Sequence, residues 1–264
     1  MAAMDLTVLG CSGSGPGPNS PSSGYLVRIG DHAVALDLGN GTLGPLHRHL
    51  SPFQLDALLL SHLHPDHCSD VASLVVYRRY HPRPPYPVTE HRLPVYGPGQ
   101  TAVRLAAQSA ASVAEREADD LSDVLDFHVF TDGANTEIAG ATVSVRQTVH
   151  PCESYAMRLE HGGRTLVYSG DTGACDALVE LAAGADVLLC ESTWPHVGPN
   201  GEIPPAGVHL SGREAGEHAA AAGVGHLLLT HIAVWNDPAA VLAEAKAAFD
   251  GPVDLVSPGE TYQV

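Results

Sequence analysis

The hydrophobic positions of the chain fall into short runs broken by Gly, Pro and Asp, a spacing that predicts strands more often than long helices. Runs at residues 6–9, 25–29 and 33–37 have the length of paired strands, and the nearly uninterrupted apolar run 55–60 predicts a buried strand. Residues 71–80 have the length and mixture of a helix, followed by a Pro-rich stretch over 82–98 and a further helix over 102–116. The second half repeats the rhythm, with strands over 141–149, 156–159, 165–169, 187–190 and 226–229 and helices over 174–183, 212–222 and 239–249. Ser211-Gly212-Arg213-Glu214 reads as a capping box, in which the Ser211 hydroxyl and the Glu214 carboxylate satisfy reciprocal amides and start a helix. Two β-rich halves with helices outside predict an α/β (α+β) fold, a four-layer αββα sandwich, with residues 1–264 forming a single domain.

Composition narrows the function. At 264 residues and 44% hydrophobic content the chain can bury a large core. Its longest apolar stretches, such as 185–190, are strand-sized, so no membrane segment is expected. Met1-Ala2-Ala3-Met4-Asp5 has neither a basic n-region nor an apolar h-region. The five cysteines, Cys11, Cys68, Cys152, Cys175 and Cys190, are scattered and form no CxxC, which suits reduced thiols and a cytoplasmic location. A net charge of −17 with Lys246 as the single lysine repels polyanions, so no long nucleic acid is expected as a partner. Small phosphate esters remain open, because bound cations and clustered arginines reverse the sign locally.

The run Ser61-His62-Leu63-His64-Pro65-Asp66-His67 follows directly on the apolar segment 55–60. Alternation along an extended chain puts His62 and His64 on one face, where both can converge on one cation. A turn into helix at Asp66 swings Asp66 and His67 toward a second cation beside the first. The competing reading is a surface His cluster, disfavoured by so many ligand-type side chains after a buried strand. Other strand ends supply the remaining ligands. His150 follows the 142–149 strand as a third ligand for the first metal, Asp171 sits between Gly170 and Thr172-Gly173 as a bridge, and His231 completes the second metal. Four protein ligands on each ion, with room for a bridging solvent, describe an open catalytic site. The expected cofactors are two divalent metal ions, Zn2+ foremost, since this ligand set also accepts Mn2+ or Fe2+.

These residues resemble the metallo-β-lactamase-fold hydrolases, whose HxHxDH motif is matched by His62, His64, Asp66 and His67, then by His150, Asp171 and His231 in order. Leu9-Gly10-Cys11-Ser12-Gly13-Ser14-Gly15-Pro16 is similar to the Gly-rich first turn of the ribonuclease Z-like branch, and Leu36-Asp37-Leu38-Gly39 to its early Asp-x-Gly signature. By that resemblance Asp37 holds ligand histidines in orientation. Glu191-Ser192-Thr193 and His209-Leu210-Ser211 look like the branch's Glu-x-Thr and His-x-Ser segments, where a Glu-supported His handles the leaving-group proton. The resemblance thus implies Asp66, Glu191 and His209 as catalytic residues. Their reaction would be attack of a metal-bridging hydroxide on a phosphodiester with His209 as general acid. A capping or packing role for His209, and a structural carboxylate for Glu191, are the plainer alternatives.

Branch members that trim transfer RNA carry a basic arm between the positions matching His150 and Asp171, and here a strand hairpin's length joins the two. With the acidic charge, this layout looks like the atypical class II cyclic-nucleotide phosphodiesterases. It implies a small phosphodiester substrate, a 3′,5′-cyclic nucleotide such as cyclic AMP. The alternatives are a carboxylic-ester, lactone or thioester hydrolase on the same fold, or a ribonuclease Z-like RNA-processing enzyme. Asp70 departs from the family pattern, where many relatives have Gly. Tyr77-Arg78-Arg79-Tyr80-His81 reads either as a stacking and cationic surface for a nucleotide or as the solvated end of a helix. The Gly13–Asn19 loop borders the substrate or is a turn, Cys68 and Cys152 pack, and Trp194 and His196 wall the pocket or belong to an ordinary loop. The 77–98 region offers a lid or a homodimer contact.

Overall fold

The computed structural model describes residues 4–264; Met1, Ala2 and Ala3, part of the segment read above for a signal, lie outside the described residues. The first half runs β1 (Met4–Gly10), β2 (Ser12–Gly13), β3 (Gly24–Ile29), β4 (His32–Leu38), α1 (Leu43–Leu46), β5 (Ala57–Leu59), α2 (Pro65–Cys68), α3 (Asp70–Tyr80), β6 (Leu93–Gly97), α4 (Thr101–Ser109), α5 (Val113–Ala118) and β7 (Leu125–Val129). The second runs β8 (Asn135–Ile138), β9 (Ala141–Gln147), β10 (Tyr155–His161), β11 (Arg164–Tyr168), α6 (Asp176–Leu181), β12 (Val187–Glu191), α7 (Gly212–Ala222), β13 (His226–Thr230), β14 (Ile232–Ala233), α8 (Pro238–Ala248), β15 (Val253–Leu255) and β16 (Thr261–Gln263). Two seven-stranded sheets result, ordered β16-β1-β3-β4-β5-β6-β7 and β15-β13-β12-β11-β10-β9-β8.

Strand periodicity explains the four layers. In β4, Val34 and Leu36 join the core between the sheets, while Ala33 and Ala35 join a second core under α3 and α4. In β12, Val187 and Leu189 face the inter-sheet core, and Leu188 and Cys190 face a third core under α6, α7 and α8. Strands covered on both sides must be apolar at every position, which is why these runs are nearly continuous in sequence. Each fully buried leucine here stabilises the fold by about 1.5–3 kcal/mol relative to exposure.

The capping box forms as predicted: Ser211 Oγ accepts from the Glu214 amide, and the Glu214 carboxylate accepts from the Ser211 amide at 2.8 Å. Three expectations are corrected. The helix predicted over 102–116 is two helices, because Ser112 Oγ accepts from the Glu115 amide and caps a new start after α4 has ended. The Pro-rich stretch contains strand β6, paired in parallel with β5 and β7. The segment 77–81 does end helix α3, with Tyr80 69% exposed, but its two arginines are neither solvated nor a free cationic surface. Arg78 is 1% exposed and donates to the His91 carbonyl at 2.7 Å, and Arg79 donates to Asp119 and Asp123 at 2.6 and 2.7 Å. No helix among the described residues is long and apolar enough to cross a membrane.

Candidate metal centre

All the predicted site residues converge at one end of the sandwich, in α2, at the end of β12 and on loops that follow β5, β9, β11, β12 and β13. Pro65, fixed in φ, opens α2 one residue after the extended His64, and that switch from strand to helix turns Asp66 and His67 away from His62 and His64.

The ligand-type atoms form two groups joined by Asp171. In the first, His64 Nδ1 lies 3.0 Å from His62 Nε2 and 3.2 Å from His150 Nε2, and Asp171 Oδ2 lies 3.6 Å from His62 Nε2. In the second, His67 Nε2 is 3.1 Å from His231 Nε2, 3.2 Å from Asp171 Oδ1 and 3.7 Å from Asp66 Oδ2. His231 Nε2 is 3.3 Å from Asp66 Oδ2 and 3.4 Å from Asp171 Oδ1. A tetrahedral ion with bonds of 2.0–2.1 Å separates its ligands by about 3.3 Å, the spacing found in both groups.

The outer nitrogens show which lone pairs face inward. Asp37 Oδ2 is 2.7 Å from His67 Nδ1 and accepts from Ser61 Oγ and Tyr168 Oη, each at 2.7 Å. Ser61 Oγ, its proton given to Asp37, accepts from His62 Nδ1 at 3.1 Å. His150 Nδ1 donates to the Val208 carbonyl at 2.8 Å. Thr193 Oγ1 donates to Glu191 Oε2 at 2.8 Å and so accepts from His231 Nδ1 at 2.9 Å. In their neutral forms four imidazoles therefore aim Nε2 lone pairs at one another and at carboxylates, an arrangement that cations between them resolve. Asp171 Oδ1, buried and without a hydrogen-bond partner, is the orphaned acceptor such an ion satisfies.

The charges agree. Burial works against ionised Asp171 and Asp66, yet the surrounding imidazoles outweigh it and hold both carboxyls well below the usual range. Burial pushes His62 well below the ordinary histidine value. Burial disfavours the His67 imidazolium too, but Asp171 and Asp37 overcome it and raise its pKa.

His209 stands beside both groups, its Nδ1 2.9 Å from Glu191 Oε1 and 3.8 Å from Asp171 Oδ2. Burial alone lowers its pKa, whereas the charge and hydrogen bond of Glu191 raise it to about 9 and keep the ring protonated at neutral pH. Glu191 is fully buried and accepts from the amides of Thr172 and Leu210 as well, at 2.7 and 3.2 Å.

Two glycines set the backbone of the second group. A Cβ on Gly39 would overlap the Asp66 carbonyl, and a Cβ on Gly13 the His231 carbonyl. Asp37 and His231 themselves hold left-handed backbone at φ 55° and 58°, conformations that cost of order 1–3 kcal/mol for non-glycine residues. Strand β2 thus supports His231 from behind, with Ser12 paired to Ile232 and the Cys11 carbonyl accepting from the His231 amide at 2.9 Å. Cys68, the last residue of α2, is buried, while Cys152 lies half-buried with Sγ 3.9 Å from His64 Nε2. The orienting roles of Ser61, Tyr168 and the Val208 carbonyl had no signal in the sequence.

The model of the Beta-lactamase superfamily domain matches residues 32–232. The chain belongs to that superfamily and is a metallo-hydrolase of the metallo-β-lactamase fold, related to the ribonucleases Z. It is 49% identical over 261 residues to the Mycobacterium leprae protein ML1173, covering 98% of this chain and 88% of the relative. It is 30% identical over 271 residues to the probable metallo-hydrolase YhfI of Bacillus subtilis, covering 98% of this chain and 100% of YhfI. The YhfI crystal structure superposes with a TM-score of 0.83 over 100% of both chains, at 28% identity. Ribonuclease Z of Mycolicibacterium paratuberculosis is 32% identical over 244 residues, covering 86% of this chain and 85% of that enzyme.

Proposed function

We propose that this hydrolase cleaves a small phosphodiester, a 3′,5′-cyclic nucleotide such as cyclic AMP, with two divalent cations, zinc or in its place manganese or iron. His62, His64, His150 and Asp171 would hold one ion, and Asp66, His67, His231 and Asp171 the other. Such ions acidify bound water to a pKa of about 7 and neutralise phosphoryl oxygens. The chain's own residues do the rest. Asp37, Ser61, Thr193 and the Val208 carbonyl keep the ligand rings in register, and Asp171 fixes the spacing of the two groups. His209 gives its proton to the departing ribose oxygen, and Glu191 keeps the ring charged until it does.

The observation that carries this reading is the buried Glu191 carboxylate 2.9 Å from His209 Nδ1, beside both groups. An acid of this kind serves a poor leaving group such as a ribose oxygen. A ribonuclease Z relative at 32% identity favours RNA as a second reading. Against it stand the net charge of −17 and the tight β10–β11 hairpin between His150 and Asp171, turned by Gly162 and Gly163. Rates on cyclic AMP, bis(p-nitrophenyl) phosphate, a precursor transfer RNA, a lactone and a glutathione thioester, measured side by side, test the proposal. The fastest specific turnover is expected on the cyclic nucleotide; turnover of the lactone or thioester alone would refute it.

A further inference from the structure

A cleft of about 210 Å3 opens on the side of His209, lined by Trp194, His196, Pro204, Pro205 and Glu214 among others. We propose that it is the leaving-group subsite and that it takes a nucleobase carrying an exocyclic amino group; this rests on the phosphodiester reading above. Its position follows from the chemistry. With the phosphorus over the two ligand groups and the leaving oxygen at His209, the remainder of the leaving group must extend past that ring, and the cleft lies there.

Its walls and floor select the occupant. Trp194 meets His209 edge to face, with ring centroids 5.0 Å apart, and with the two prolines it supplies flat apolar surface for an aromatic ring. The volume, below the roughly 300–1,000 Å3 of drug-sized pockets, suits one ring system rather than a polynucleotide. Away from His209, two polar side chains offer acceptors. Glu214 Oε2 takes the amide and hydroxyl of Ser211 at 2.8 and 2.7 Å, and no donor among the described residues reaches Oε1. Ser211 Oγ, having donated to Glu214, accepts from His196 Nδ1 at 3.1 Å, so in the neutral ring Nε2 is the acceptor, and no donor among the described residues meets it. A carboxylate and an imine nitrogen together call for a donor such as the adenine amino group and repel a carbonyl at the same position.

Cyclic AMP and cyclic IMP differ along one edge of the base, an amino donor beside an N1 acceptor in the first and a carbonyl acceptor beside an N1–H donor in the second, so the exocyclic position sets the amino group against the carbonyl. The metal-loaded protein should prefer cyclic AMP by about tenfold or more in kcat/KM, since the wrong base sets a carbonyl against the half-buried Glu214 carboxylate. Glu214→Gln keeps a residue suited to the capping box but can turn a donor into the cleft, so the preference should fall to within about threefold of parity. A binding readout independent of hydrolysis uses the Trp235→Phe protein, in which Trp194 is the remaining tryptophan. Adenosine should quench its fluorescence at concentrations about tenfold below inosine. Hydrolysis of both cyclic nucleotides with no discrimination and no quenching overturns the subsite and leaves the phosphodiesterase reading intact. Quenching selective for adenosine without any phosphodiester turnover overturns that reading and supports the subsite as a base-binding cleft.

Discussion

The Glu191 carboxylate lies 2.9 Å from His209 through Oε1, while its Oε2 accepts the Thr193 hydroxyl that in turn orients His231. One buried charge therefore supports both the proposed acid and a proposed cation ligand. Glu191→Gln should act on both. The His209 pKa, held at about 9 largely by Glu191 against burial, moves down toward the ordinary value. A general acid works while protonated, so activity is full below its pKa and is lost as pH rises through it. The alkaline limb of the kcat/KM profile should accordingly move to lower pH in the variant; an unmoved limb would exclude His209 as the acid.

His209→Ala should lower kcat on a cyclic nucleotide by about 10²- to 10⁴-fold, the usual worth of a positioned acid. Bis(p-nitrophenyl) phosphate, whose leaving group needs no proton, should lose far less. Metal content should match the parent protein, because His209 is in neither ligand group. Equal losses on both substrates would contradict the general-acid role.

Gly39→Ala and Gly13→Ala place a methyl against the Asp66 and His231 carbonyls, two backbone atoms that cannot yield without moving the ligand. Each should weaken metal binding in the second group by about 10- to 100-fold, as loss of a supporting contact does. A competition titration with a chromophoric chelator would show one site weakened and one retained. Two unaltered sites would mean that the loops move freely.

Metal removal should cost stability, since inward-facing Nε2 atoms and carboxylates then oppose one another. At a free-ion concentration of about 1,000 Kd the bound ion adds about 4 kcal/mol. For a chain of this size that corresponds to a Tm lower by roughly 10 °C in chelator, restored by zinc. A Tm indifferent to both would argue against ions in these groups.

The ligand candidates were legible because each follows directly on an apolar strand, so a local pattern fixed its place at one end of the sandwich. His62, His64, Asp66, His67, His150, Asp171 and His231 all arrive there. The layers were legible for the same reason, since a strand such as 187–190 reads as continuous apolar sequence when helices cover its outer face. What escaped was nonlocal or weakly patterned. Tyr168 reaches Asp37 across the two sheets, a contact between residues 131 positions apart. β6 is short and sits among prolines, and β7, Leu-Asp-Phe-His-Val, is an edge strand with mixed burial. Arg78 looked like a solvated helix end, and only the fold of 81–92 over α3, with the His91 carbonyl on its guanidinium, buries it.

The most direct test of the central claim is 31P NMR of cyclic AMP incubated with the zinc-loaded protein in 18O-labelled water. The account predicts 5′-AMP with one labelled oxygen on phosphorus, formed at a rate that falls with His209→Ala. Cyclic AMP that stays intact, under conditions where the same protein opens a lactone or a thioester, would contradict it.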